Sequence, residues 1–138
     1  MPSKVSRTMS SADPHELLSA AHDARTRAYA PYSKFAVGAA LDVGDGHVIL
    51  GANVENASYG LAICAERSAI AAAVTAGFRT FHAIAVAGPD GALTSPCGAC
   101  RQVLAEFNPD MTVIYTTPEG VAQATVAELL PHHFGPFV

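Results

Sequence analysis

All three cysteines of the chain fall in two short segments, Cys64-Ala65-Glu66 and Pro96-Cys97-Gly98-Ala99-Cys100, and each segment opens a run with helical character. The run from Cys64 to Thr75 is alanine-rich and stops before Gly77, a natural helix terminator, while the run from Cys97 to Phe107 follows one proline and ends before Pro109. Each thiol therefore sits where the helix dipole and unpaired backbone N–H groups favour a thiolate. An odd number of thiols cannot all pair internally, and in a reducing compartment thiols serve metals or catalysis more often than cross-links. A Cys-x-x-Cys pair at a helix start brings two sulfurs within reach of one ion. A third sulfur from a neighbouring helix leaves one tetrahedral position open, the mark of a catalytic zinc rather than a structural one.

The remaining elements follow from local signals. Asp13-Pro14-His15-Glu16 combines an N-cap carboxylate, a proline at the first helical position and a glutamate at the third, and predicts a helix to about Tyr29. Pro31-Tyr32-Ser33 breaks it. Phe35 to Val43 and His47 to Val54 are apolar runs joined by Gly44-Asp45-Gly46, a hairpin signal. Phe81 to Ala87, Met111 to Tyr115 and Val121 to Thr125 supply three further strands, and Val126 to Leu130 a short helix before Pro131. Two strand-then-helix units in the middle imply an α/β chain with a mixed five-stranded sheet and helices packed on its faces. Residues 1–11 are small and polar and are expected to form a disordered leader, with residues 12–138 as a single domain.

Half of the 138 residues are apolar, enough for one core without disulfides, while charged residues make up 14% and the net charge is −4. No basic field exists to neutralise a phosphate backbone, and the chain has no tryptophan, so a polynucleotide partner is not expected. The N-terminus lacks the features of a signal peptide and no long apolar run occurs, from which a cytoplasmic protein with no membrane partner is expected.

Glu66 lies two residues from Cys64 on the same first turn. A carboxyl group there reaches a water at the open position without ligating the ion; it can take a proton from that water, pass it to a ring nitrogen and later deliver one to departing ammonia. Three thiolates outweigh the two charges of the ion, and Arg67 together with the two helix N-termini can supply the missing positive potential. A redox pair or half of a structural zinc site explains Cys97 and Cys100 alone, but neither explains the glutamate. A purely structural zinc demands a fourth protein ligand, for which a histidine such as His82 would have to serve. His132 and His133 read as solvated tail residues.

Beyond these spacings, residues from about Ala28 to Phe137 resemble the small homotetrameric, zinc-dependent cytidine deaminases of the cytidine/deoxycytidylate deaminase family. The resemblance rests on Tyr32-Ser33-Lys34-Phe35-Ala36-Val37-Gly38-Ala39-Ala40, Asn53-Val54-Glu55-Asn56-Ala57-Ser58-Tyr59, Cys64-Ala65-Glu66-Arg67, Ser95-Pro96-Cys97-Gly98-Ala99-Cys100-Arg101-Gln102 and Leu129-Leu130-Pro131 with Phe134-Gly135-Pro136. It implies a three-layer α/β/α sandwich, one zinc per chain, and hydrolysis of cytidine and deoxycytidine to uridine and deoxyuridine with release of ammonia in pyrimidine salvage. Phe35 then corresponds to the aromatic on the pyrimidine face, Asn53 and Glu55 to the pair that binds the ribose 3′-hydroxyl, and Ala65 to a backbone contact with the base. Residues 53 and 55 of an extended segment share a face, as such a pair requires. Ala57, Tyr59 and Phe134 match positions that reach a neighbouring subunit's ligand. Ala36 stands where the family often has proline. The runner-up substrate is a cytosine nucleoside antibiotic such as blasticidin S, whose deaminases share the cysteine and glutamate signature.

Overall fold

Asp13 caps the first helix as its sequence demands: its carboxylate accepts from the Glu16 N–H, and α1 runs over Pro14–Ala24. The computed structural model describes residues 12–138, so the expected leader, residues 1–11, lies outside the described residues. The helix ends earlier than its pattern predicts. Arg25–Arg27 tighten into a 3₁₀ turn, and the Tyr29 N–H bonds to the Asn53 carbonyl at 2.9 Å, so residue 29 is drawn to the Asn53–Glu55 segment instead of continuing the helix.

The chain continues through strands β1 (Gly38–Gly44) and β2 (His47–Ala52), helix α2 (Ala65–Thr75), strand β3 (Ala83–Ala87), helix α3 (Gly98–Phe107), strands β4 (Thr112–Thr117) and β5 (Gly120–Thr125), and helix α4 (Val126–Leu129). The β1–β2 hairpin turns at Gly44, Asp45 and Gly46, all with positive φ, as the two glycines foreshadow. Both hairpin strands are shorter than predicted. Beyond Gly38 and Ala52 the Asn53 side chain takes over from the ladder, accepting from the Val37 N–H and donating to the Phe35 carbonyl, each at 2.9 Å.

The sheet has the order β2-β1-β3-β4-β5 and is mixed: β3 and β4 are parallel, joined through α3, and the other three pairs are antiparallel. Alternation along the strands makes two cores. Ala39, Leu41, Ile84 and Val113 face one side, where they pack with Ala65, Ala69, Ile70, Leu104, Ala105 and Val126 from α2, α3 and α4. Ala40, Ala83, Ala85, Ala87 and Ile114 face the other, beneath Leu17 and Ala21 of α1. This is the expected α/β/α sandwich.

Small residues set how closely the layers approach. A Cβ on Gly51 of β2 would collide with the Ala65 carbonyl and come within 2.5 Å of the Ala69 nitrogen, and one on Gly38 would strike the Ala21 carbonyl. The helices thus lie backbone to backbone against the hairpin, α2 on one face and α1 on the other. With α2 and α3 on the same face, their N-termini can serve a common site.

Candidate active site

Cys64 is the N-cap of α2 and Cys97 the N-cap of α3, both in extended backbone conformation, while Cys100 lies in the first turn of α3. Neither N-cap thiol caps its own helix. The three sulfurs instead converge to within 4.8 Å of one another, with Cys64 half-buried, Cys97 exposed and Cys100 buried. Tetrahedral zinc with Zn–S bonds of about 2.3 Å separates its sulfurs by about 3.8 Å. Cys64 Sγ and Cys97 Sγ stand 3.9 Å apart. Soft thiolate donors at that separation fit zinc. Among the described residues no histidine, aspartate or glutamate joins the group. His82 belongs elsewhere: its Nε2 lies 3.0 Å from where a Cβ on Gly44 would stand, beside the hairpin turn, so it is not the fourth ligand that a structural site demands.

Charge is distributed unevenly among the thiols. A hydrogen bond from Cys100, and then the Arg67 guanidinium, bring the Cys64 thiol down to about 5 despite its burial. Its hydrogen bond with Cys64 and its own burial push the Cys100 thiol up. Arg67 Nη2 donates to Cys64 Sγ at 3.4 Å, and these sulfur contacts hold the guanidinium still more firmly protonated than usual. Its Nε is buried with no protein partner. A cation placed on the thiols rather than in solvent has the position that charge balance requires.

Glu66 occupies the first turn of α2 and is only 5% exposed. Burial pushes its carboxyl up to about 7, with the neighbouring Cys64 charge adding to the effect. Ala65, between Cys64 and Glu66, is buried as well.

The second group of expected residues forms around the turn after α1. Asn53 bridges Phe35 and Val37 as described above. Glu55 accepts from the N–H groups of Tyr32 and Ser33 at 3.0 and 3.1 Å and from the Ser33 hydroxyl, and these bonds, the hydroxyl first, hold its carboxyl below the ordinary range. Both side chains thus turn toward the Tyr32–Val37 segment, as the shared face predicts. The Phe35 ring is 40% exposed and lies beside Gly88, 3.6 Å from where a Cβ would stand. Tyr59, 77% exposed, meets Tyr32 edge-on at 6.2 Å and overhangs a cleft of about 300 Å³ shared with Ser33, Glu55, Asn56 and Ala62. Ala57 is exposed on the same connection. Phe134 is tied by hydrogen bonds to α3 through Gln102, not to the thiol cluster.

Three convergent thiols on two helix N-termini, a buried glutamate beside one of them and an arginine on the sulfurs define, by class, a zinc-dependent deaminase. The comparisons agree. The cytidine and deoxycytidylate deaminase zinc-binding region matches residues 11–117. Cytidine deaminase of Sporosarcina psychrophila is 48% identical over 124 residues, 88% of this chain and 91% of that protein; that of Halalkalibacterium halodurans is 50% identical over 88% and 94%. The crystal structure of cytidine deaminase from Burkholderia pseudomallei superposes with a TM-score of 0.81 at 50% identity, covering 87% of this chain and 98% of that one. This chain belongs to the cytidine and deoxycytidylate deaminase family.

Some contacts escaped sequence reasoning. Ser33 donates to Glu55 and accepts from the Phe35 N–H, and Thr94 pins the β3–α3 connection by accepting from the Thr116 N–H at 3.0 Å. Turn chemistry at Pro31-Tyr32-Ser33 hinted at the first; nothing local marks the second, whose partners are 22 residues apart.

Proposed function

We propose that this chain hydrolyses cytidine and deoxycytidine to uridine and deoxyuridine, releasing ammonia, as a cytoplasmic enzyme of pyrimidine salvage. The observation that carries the reading is the placement of buried Glu66 on the helical turn that follows Cys64, beside the three-thiol cluster. Cys64, Cys97 and Cys100 would hold the zinc. When bound, the ion lowers the pKa of a water at its open position from about 15.7 towards about 7.

Every other step belongs to the protein. As the water oxygen bonds to C4 of the pyrimidine, the Glu66 carboxylate takes one of its protons and passes it to N3; it then takes the remaining proton from the new C4 hydroxyl and delivers it to the exocyclic amine as the C4–N bond breaks, leaving the C4 carbonyl and ammonia. Arg67 offsets the excess negative charge of the thiolates. Phe35 packs on the base and the Ala65 backbone reads its edge. Asn53 and Glu55 bind the ribose 3′-hydroxyl, and the contacts that already orient both side chains support that role, since each oxygen of an ionised carboxylate has more than one acceptor site. A free 3′-hydroxyl held in this way rejects a polymer, in line with the net charge of −4. Ala57, Tyr59 and Phe134 complete a neighbouring subunit's site in a homotetramer. Among the described residues no helix is long and apolar enough to cross a membrane.

The test follows ultraviolet absorbance with cytidine, deoxycytidine and a short cytosine-containing single strand, beside a zinc determination. Conversion of both nucleosides but not of the strand is the expected result. Full zinc without cytidine turnover would reject the proposal, and the cytosine nucleoside antibiotic would then be assayed; turnover of the strand would overturn the charge argument.

A further inference from the structure

Arg101-Gln102, which the mechanism leaves without a role, is joined in the fold to the C-terminal segment that carries Phe134. Gln102 lies on α3, two residues beyond Cys100. Its Nε2 donates to the Phe134 carbonyl at 2.7 Å, and its Oε1 accepts from the Phe134 N–H at 3.2 Å. One side chain thereby holds both backbone groups of one residue 32 positions away. Arg101 anchors the start of the same segment, donating from Nη1 to the Leu129 carbonyl and from Nε to the Pro96 carbonyl, each at 2.7 Å. The Phe137 ring meets that of Phe134 edge-on at 5.0 Å.

The clamped residue does not bury its side chain: Phe134 is 74% exposed. Fixing backbone costs conformational entropy, and within this chain little apolar burial of the ring offsets it. A two-point grip on the backbone of an aromatic that faces outward makes physical sense as preorganisation for a contact made outside the chain. We infer that Gln102 is a positioning residue: it presents the Phe134 ring, already set, to the nucleoside bound by a neighbouring copy. The inference rests on the proposed function, in which Phe134 reaches that ligand. Gln102 touches no reacting atom and acts through Phe134 alone.

The test compares the wild type with Gln102→Met, which keeps length but removes both hydrogen bonds, with Phe134→Ala and with the double variant. Gln102→Glu is a second probe, retaining an acceptor for the Phe134 N–H and losing the donor. Hydrogen exchange in the peptide 131–138 reads the clamp without reference to activity. We expect faster exchange in Gln102→Met and an intermediate rate in Gln102→Glu, with zinc content and assembly mass unchanged. KM for cytidine should rise about five- to tenfold in both single variants, the scale of one lost aromatic contact, with kcat within about twofold. The double variant should match Phe134→Ala, since a residue acting only through Phe134 adds nothing once the ring is gone. Additive effects on KM, or a fall in kcat at constant KM, would overturn the positioning role. Equal exchange in wild type and Gln102→Met would overturn the clamp. A wild type that does not turn over cytidine would remove the nucleoside from the inference along with the proposed function, while the exchange comparison would still judge the grip on Phe134.

Discussion

Glu66 and Glu55 are both carboxylates, yet their surroundings drive them in opposite directions. Glu66 is buried and raised to about 7, whereas Glu55 is lowered by donors on the Tyr32–Ser33 turn. Replacing Glu66 with Gln keeps the shape and removes the proton carrier; zinc content should stay at the wild-type level while kcat falls by roughly a hundredfold or more. Retained turnover at equal zinc would remove Glu66 from the mechanism. Cys100→Ala should instead lower bound zinc, because two thiolates cannot close the site, and metal analysis of the purified variant decides it. For Glu55, a lowered folded pKa means that its stabilising contribution is complete above the ordinary value of 4.5 and fades as pH falls through the lower, folded value. The amide resonances of Tyr32 and Ser33 should therefore hold steady down to about pH 4.5 and move only below it; a transition above that value would contradict the assignment.

Elements in this fold meet at distances set by glycine. Gly51→Ala forces a methyl group into the backbone of α2 at Ala65 and Ala69, and overpacking of this kind costs about 2–3 kcal/mol. Denaturant unfolding should show that loss, and a change below about 0.5 kcal/mol would mean that α2 can retreat from the sheet at no cost. Such long-range tolerances were invisible in the sequence, which carried the local features well. Gly44-Asp45-Gly46 located the hairpin, Asp13 the helix start, and the cysteine segments both α2 and α3, because capping, turn formation and thiol chemistry depend on near neighbours. The ends of α1, β1 and β2 fall short of their sequence patterns for one shared reason. Tyr29, Val37 and Phe35 give their backbone groups to Asn53 and its side chain, and periodicity cannot foresee a side chain replacing a ladder. The convergence of the three thiols was legible from residue type and spacing; the Gln102 grip on Phe134 was not, since it unites positions 32 residues apart.

At the scale of the whole molecule, Tyr59 and Phe134 are exposed aromatics on two separate segments, and the proposed homotetramer would cover both. The proposed homotetramer predicts a solution mass near four times the 14.2 kDa chain by light scattering, and a species of one chain mass under assay conditions would remove the cross-subunit roles.

The distribution of the thiols also ties the complete cluster to the tertiary fold. Cys97 and Cys100 are neighbours in sequence and can engage an ion before any tertiary structure exists, but Cys64 is 33 residues from Cys97 and arrives only when α2 and α3 share a face of the sheet. Coordination by all three sulfurs is therefore coupled to the tertiary fold, whereas two sulfurs of one segment are not. If the cluster holds zinc as proposed, retention of the metal reports whether α2 and α3 are docked on their common face.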